Sequence, residues 1–200
     1  MCTVTDIGSE ATGISHDRSG SALAVRPPYI GLQRRIAMED RDYMLAALEL
    51  AREAAADGEV PVGCVIVRRG EIVGRGRNRR EKGRNALCHA ELEAINDACT
   101  NLGGWRLWEC ELYVTLEPCP MCAGAIINAR IPRVVYGARD AKAGSCGSVC
   151  SLFDMAYNHH PTVEQGLMED ECAQLLRDFF RQLRLTLPKR KKWQRPDNVG

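Results

Sequence analysis

No apolar run in these 200 residues approaches the roughly 20 needed to cross a bilayer as a helix, since the best candidate, Ala123 to Ile127, stops at Asn128. That excludes a helical membrane protein. The first residues also lack a basic start followed by 7 to 15 apolar positions, Ala22 to Val25 being the longest such run, so no secretory signal is expected. Net charge is nearly absent as well: 27 basic residues against 26 acidic ones leave +1. Any affinity for nucleic acid must therefore come from local clustering, not from the field of the whole molecule. Acidic residues are missing from one stretch that supplies such a cluster, where Arg181, Arg184, Lys189, Arg190, Lys191, Lys192 and Arg195 stand unneutralised. There is no internal repeat, which excludes a solenoid or propeller.

What the chain has in number is cysteine, ten in all. Without a secretory signal, a disulfide framework is not the expected use, and the chain is placed in the reducing cytoplasm. Cys119 and Cys122 are better used as metal thiolates, and the other eight read as small buried or incidental thiols. At 45% apolar and 26% charged, the composition is that of a soluble globular protein long enough for one ordinary domain. Residues 1–37 are rich in Gly, Ser, Arg and Pro without a sustained period and are expected to be a disordered extension, with Met38 as an alternative start. The domain is expected over residues 38–187, followed by a basic tail at 188–200.

From Glu39 to Asp57, Met44, Ala47, Leu48, Ala51 and Ala55 recur at three and four, with acids in the first turn and Gly58 beyond the end, which predicts a helix. Val60 to Val67 and Ile72 to Arg77 have strand length and flank a turn at Arg69-Gly70, so they predict a hairpin. Residues 79–88 are polar and irregular. His89 to Cys99 reads as a helix with Leu92, Ile95 and Cys99 inward, and Leu112 to Leu116 as a strand. Cys119 to Arg130 reads as a helix opened by Pro118. Val134 to Tyr136 and Val163 to Leu167 are strand-like, and Met168 to Leu185 predicts a last helix with Cys172, Leu175, Leu176, Phe179 and Phe180 inward. This order implies an α/β protein, three layers α/β/α with a central mixed sheet of about five strands.

Two short segments carry the chemistry, His89-Ala90-Glu91 and Pro118-Cys119-Pro120-Met121-Cys122. A catalytic zinc takes three protein ligands and keeps one position open, whereas a structural zinc is closed by four. His89, Cys119 and Cys122 supply three. The two cysteines, three apart, face one side of a helical turn, and at a helix N-terminus the positive end of the dipole favours their thiolates. Glu91 cannot share the metal with His89 from a regular helix, but it can lean over the open position as a proton carrier. Zinc brings the pKa of bound water towards ~7, and Glu91 can then take the water's proton, pass it to a ring nitrogen and later protonate departing ammonia. One His, two Cys and a free Glu in this order are the kit of the zinc base deaminases. Two other uses remain open: a redox Cys-x-x-Cys, with no thioredoxin-like unit around it, and a closed structural site with Cys88 as fourth ligand. Cys88 and His89, adjacent and about 100° apart on a helix, are poorly placed for one ion.

With both motifs placed, the chain resembles the bacterial tRNA-specific adenosine deaminases from about Glu39 to Leu185. The resemblance is carried by Glu59-Val60-Pro61-Val62-Gly63, Asn78-Arg79, His89-Ala90-Glu91 and Tyr113 through Ala125. Further on it rests on Gly137 through Gly144, Asn158-His159, Glu171-Cys172-Ala173 and Phe179-Phe180-Arg181. It implies a cytidine-deaminase-like fold, a homodimer with one zinc per subunit, and conversion of the wobble adenosine of an arginine tRNA anticodon to inosine, with the flipped-out base over the zinc. It also implies that Asn78 binds the purine, that Asp140 and Lys142 lie near the backbone of the anticodon stem-loop, and that Asn158 contacts a base. The competing functions are deamination of a free base or nucleotide, such as guanine or a cytidine derivative, and RNA binding without catalysis. The basic C-terminus favours RNA over a small substrate, and Glu91 argues against a mere scaffold.

Overall fold

Apolar residues on both faces of successive strands leave little choice but a sheet covered on both sides, and that is the arrangement found. The structure, a computed structural model, describes residues 39–186, which fall within one compact unit. The expected extension and the basic tail from Pro188 lie outside the described residues. The elements run α1 (Asp40–Ala56), β1 (Gly63–Arg68), β2 (Glu71–Arg77), α2 (Arg80–Gly83), α3 (Ala90–Leu102), β3 (Cys110–Leu116), α4 (Pro120–Ala129), β4 (Arg133–Ala138), a 3-10 turn (Leu152–Asp154), β5 (Thr162–Gln165) and α5 (Glu169–Thr186). The five strands lie in the order β2-β1-β3-β4-β5; β1 is antiparallel to β2 and β3, while β3, β4 and β5 are parallel. The expected mixed five-stranded sheet is present. No helix among the described residues is long and apolar enough to cross a membrane.

Alternation along the strands divides the core in two. Cys64, Ile66, Leu112, Val114, Val134 and Tyr136 face α3 and α4, and Val65, Val67, Tyr113 and Val135 face α1 and α5. The hairpin closes through Arg69 and Gly70 at φ 51° and 81°, both left-handed, as a two-residue turn matched to strand twist requires.

Several details differ from expectation. The deepest face of α3 is Ala90, Ala94 and Ala98, while Leu92, Ile95 and Cys99 are half-buried at its flank. The reason is the sheet beneath. A methyl on Gly76 would strike the backbone of Ala90 and Ala94 and lie 2.9 Å from the Glu93 Cβ, and one on Gly74 would lie 2.8 Å from the Ala98 Cβ. The helix lies so close to β2 that only small residues fit between them. Gly63 plays the same part under α1, against Ala47 and Ala51, and there Ala54, not Ala55, is the buried alanine. The first strand starts at Gly63, not Val60, because Val62 already turns its N–H back to the Val60 carbonyl. Residues 79–88 contain the short α2. Pro120, not Pro118, is the proline in the first turn of α4, with Cys119 at the cap. On α5 only Cys172 is buried; Leu175, Leu176 and Phe179 are half-covered and Phe180 is exposed.

The edge strand β5 buries none of its side chains. Besides its ladder with β4, it is held by Arg133, whose guanidinium donates to both oxygens of Glu164 at 2.8 and 3.0 Å and also reaches Asp40, Glu111 and the Tyr113 hydroxyl. The bond from Arg133 holds the Asp40 and Glu164 carboxyls below their ordinary values.

Two outcomes are expected. Gly76→Ala overpacks the α3–β2 contact and should cost about 1–3 kcal/mol, read from urea denaturation; a neutral result would mean that α3 can move outward freely. Carboxylates with lowered pKa stabilise above the ordinary range near ~4 and lose that contribution as pH falls through their lowered values. Arg133→Met should therefore flatten the acid limb of stability against pH between 7 and 3, and an acid limb as steep as the parent's would show these ion pairs to be fully screened.

Candidate active site

The register of the sheet places four chain ends along one edge. Gly63, at the start of β1, pairs with Arg77 at the end of β2; Cys64 pairs with Val114 near the end of β3; and Leu116 pairs with Ala138 at the end of β4. The segments leaving this edge are Asn78 after β2, Cys119 after β3 and Asp140 after β4. The N-termini of α3 and α4 open along the same edge, where their orphan N–H groups and dipoles favour negative charge.

His89 and Cys119 occupy the caps of α3 and α4 in extended conformation, and neither makes a side-chain capping hydrogen bond. Both are thereby left for another partner. The Nδ1 of His89 lies 3.7 Å from the Cys119 sulfur and 3.6 Å from the Cys122 sulfur. Tetrahedral zinc with Zn–S near 2.3 Å and Zn–N near 2.0–2.1 Å sets nitrogen and sulfur about 3.6 Å apart. The residues therefore fit that ion, and His89, Cys119 and Cys122 are the only such donor group among the described residues. Cys88 stands outside it. Hydrogen bonding from Cys122, and from His89, brings the Cys119 thiol down to about 4 against the effect of its burial. The same bond, with burial, drives the Cys122 thiol up, and the bond to Cys119 raises His89. One sulfur is thus anionic at neutral pH, as a soft metal ligand must be.

Glu91, in the first turn of α3, is 4% exposed. Burial pushes its carboxyl up to about 6. It lines a cavity of about 220 Å³ with His89, Cys119, Asn78, Arg80, Asp140 and others. That is below the roughly 300–1,000 Å³ of sites that enclose a whole drug-sized ligand, and it suits a single flat ring with the remainder outside.

Of the other residues expected at the site, Asn78 and Asp140 stand on opposite walls of this cavity. Lys142 lies in a neighbouring groove with Leu176, Arg177, Phe180, Arg181 and Arg184, so part of the basic stretch borders the site. Asn158 is exposed, its Oδ1 accepting from Arg130 at 2.7 Å, and it does not line the cavity.

Two buried acids hold these walls, and their function was not read from the sequence. Glu59, 1% exposed, accepts the backbone N–H of Lys82 on one oxygen at 2.7 Å. Its other oxygen accepts the N–H of Glu81 at 3.2 Å and the Asn78 side-chain amide at 3.5 Å. Glu117, 2% exposed, accepts from Cys146 and Ser148 N–H on one oxygen, each at 3.0 Å, and from Asp140 N–H at 3.1 Å and the Ser148 hydroxyl on the other. Burial opposes the charge on Glu117, but the bonds from Ser148, Asp140 and Cys146 outweigh it and keep the carboxyl below its ordinary value. The only signal in the sequence was an acid directly beside an apolar strand on each occasion.

Comparison with known proteins agrees with this geometry. Residues 37–138 match the family described as the cytidine and deoxycytidylate deaminase zinc-binding region. The chain is 46% identical over 147 residues to the tRNA-specific adenosine deaminase of Bacillus subtilis (strain 168), covering 73% of this chain and 91% of that protein. It is 47% identical to that of Streptococcus pyogenes serotype M18, covering 72% and 92%. A solved structure from studies of A-to-I editing by tRNA:A34 deaminases at the wobble position superimposes with a TM-score of 0.66 at 45% identity, over 68% of this chain and 99% of that one. Guanine deaminase from Bacillus subtilis is more distant, with a TM-score of 0.51 at 32% identity, over 78% of this chain and all of that one. A three-donor metal group at two helix caps, a buried glutamate beside it and this degree of identity together place the chain in the tRNA-specific adenosine deaminase family of the zinc deaminases.

Proposed function

We propose that this chain hydrolyses adenosine to inosine at the wobble position of a tRNA anticodon, with tRNA-Arg as its substrate. The observation that carries the reading is Glu91, buried and charge-tunable, beside three donors at zinc spacing in a cavity sized for one base. Zinc held by His89, Cys119 and Cys122, one ion per subunit, would supply a Lewis acid that makes water a nucleophile near neutral pH. Glu91 takes a proton from that water, delivers it to the ring nitrogen beside C6 as the water oxygen bonds to C6, and moves a second proton to the amino group. The C6–N bond then breaks, so adenosine and water become inosine and ammonia. A carboxyl held near 6 is suited to both giving and taking.

Asn78 is assigned to the base edge from one wall, and Asp140 with Lys142 to the RNA backbone from the other. Asn158 is assigned to a neighbouring base. The small cavity admits the base and leaves ribose and phosphates at the basic rim, where Arg80 and the Lys142–Arg177–Arg181–Arg184 groove meet them. Residues 38–187 are proposed as the catalytic domain and the cytoplasm as its location. A homodimer is proposed, with Val149, Met155 and Tyr157, 46–58% exposed and flanking the 3-10 turn that packs against α4, as candidate contacts.

The deciding experiment incubates the zinc-loaded protein with an arginine tRNA bearing adenosine at the wobble position and reads inosine by reverse transcription, beside free adenosine, guanine and cytidine. Inosine in the tRNA and no turnover of the free compounds is expected; turnover of guanine alone would replace this reading with that of a free-base deaminase. Glu91→Gln should retain zinc by metal analysis and lose at least about a hundredfold in rate, whereas Cys119→Ser should lose zinc itself. A Glu91→Gln protein with near-parental activity would remove Glu91 from the chemistry.

A further inference from the structure

The mechanism leaves two buried carboxylates unused, and their hydrogen bonds point to a task. Neither Glu59 nor Glu117 belongs to the metal donor group, and neither has an arginine or lysine side chain among its hydrogen-bond partners. Instead, every bond each one makes goes to a segment that forms a wall of the cavity. Glu59 binds Asn78 and the first turn of α2, which carries Arg80. Glu117 binds the loop from Asp140 to Ser148, which carries Lys142 and closes on itself through the Gly144 N–H to the Asp140 carbonyl at 2.8 Å. We propose that Glu59 and Glu117 are positioning residues that preorganise the two substrate-facing walls, so that the enzyme meets the RNA with Asn78 and Arg80 set on one side and Asp140 and Lys142 on the other. The proposal rests on the RNA-editing reading above.

The chemistry of the carboxylate explains why an acid occupies each place. Both oxygens of each group face donors, and a carboxylate only accepts. Glutamine would turn its NH2 toward at least one N–H whichever way its amide is flipped, leaving buried donors unpaired. At position 59 the acceptor also dictates the orientation of Asn78: its Nδ2 must face Glu59, so the remaining hydrogen and Oδ1 keep defined positions toward the base. At position 117 the backbone has made room, since a methyl on Gly144 would collide with the Glu117 carboxylate. Loop segments otherwise lose conformational freedom on binding, and holding them beforehand lowers that cost.

Removing a positioning residue should therefore weaken binding while sparing chemistry on bound RNA. The test uses the zinc-loaded full chain and an anticodon stem-loop of tRNA-Arg, assayed well below the melting temperature. Glu59→Gln and Glu117→Gln should each raise KM by about tenfold or more, the factor that one unpaired buried donor represents. At saturation, kcat and zinc content should stay within about threefold of the parent. Ser148→Ala, which removes one donor from Glu117 and leaves the acid in place, should raise KM by a few fold and secures the test if Glu117→Gln does not fold. Stem-loop affinity by fluorescence anisotropy separates the two readings. A parent that binds but forms no inosine overturns the proposed function. A parent that does both, beside variants with parental KM, or variants that lose kcat or zinc at unchanged KM, overturns the positioning assignment.

Discussion

The position of His89 depends on how closely α3 can approach the sheet. Gly74 and Gly76 on β2 and Ala90, Ala94 and Ala98 on α3 bring the two backbones together with no side chain between them. Because His89 is the cap of that helix, any outward movement of α3 would carry Nδ1 away from the sulfurs that it meets at 3.6 and 3.7 Å. Metal geometry tolerates only a few tenths of an ångström. The glycines thus help set the spacing of the His89–Cys119–Cys122 donor group, although no donor atom belongs to them.

A second consequence follows from the edge on which the site lies. Two helix N-termini bring partial positive charge to one place, which favours a thiolate at Cys119 and suits an anionic backbone outside the cavity. Glu91 is the exception, a carboxyl inside that environment but buried, so desolvation raises it while the Cys119 thiol beside it is lowered. Separate environments for two kinds of acid, thiol and carboxyl, suit the division into ligand and proton carrier proposed above. The rim follows the same logic on a larger scale: the molecule is almost neutral, yet its cations gather at Arg80 and along the Lys142 groove.

Rigidity in the site is supplied from within the protein. The walls are loops and a single turn of helix, elements that would ordinarily fluctuate, and two buried acids hold them by backbone N–H groups. At the far edge of the sheet Arg133 ties an exposed strand to β3 and α1. Both devices use charge where packing is thin, and both are found where strands end or lie uncovered.

Much of this was legible in residue order. Hydrophobic periods located α1, the hairpin and α5, and the spacing of His89, Glu91, Cys119 and Cys122 pointed by itself to the chemistry proposed, because ligand number, helical pitch and the need for an unbound carboxylate are local properties. Other features required the fold. Which face of α3 turns inward was decided by two glycines on a different strand, against the pull of Leu92 and Ile95. Phe180 stays exposed on the groove it shares with Lys142, which hydrophobicity alone does not disclose. The work of Glu59 and Glu117 could not be read from sequence, since their partners lie 19 to 31 positions away and, besides the Asn78 amide and the Ser148 hydroxyl, are backbone N–H groups that every residue but proline carries. Sequence singled out the candidate reacting groups; tertiary structure decided their distances and the walls around them, because a hydrogen bond to main chain leaves no mark on the identity of its donor.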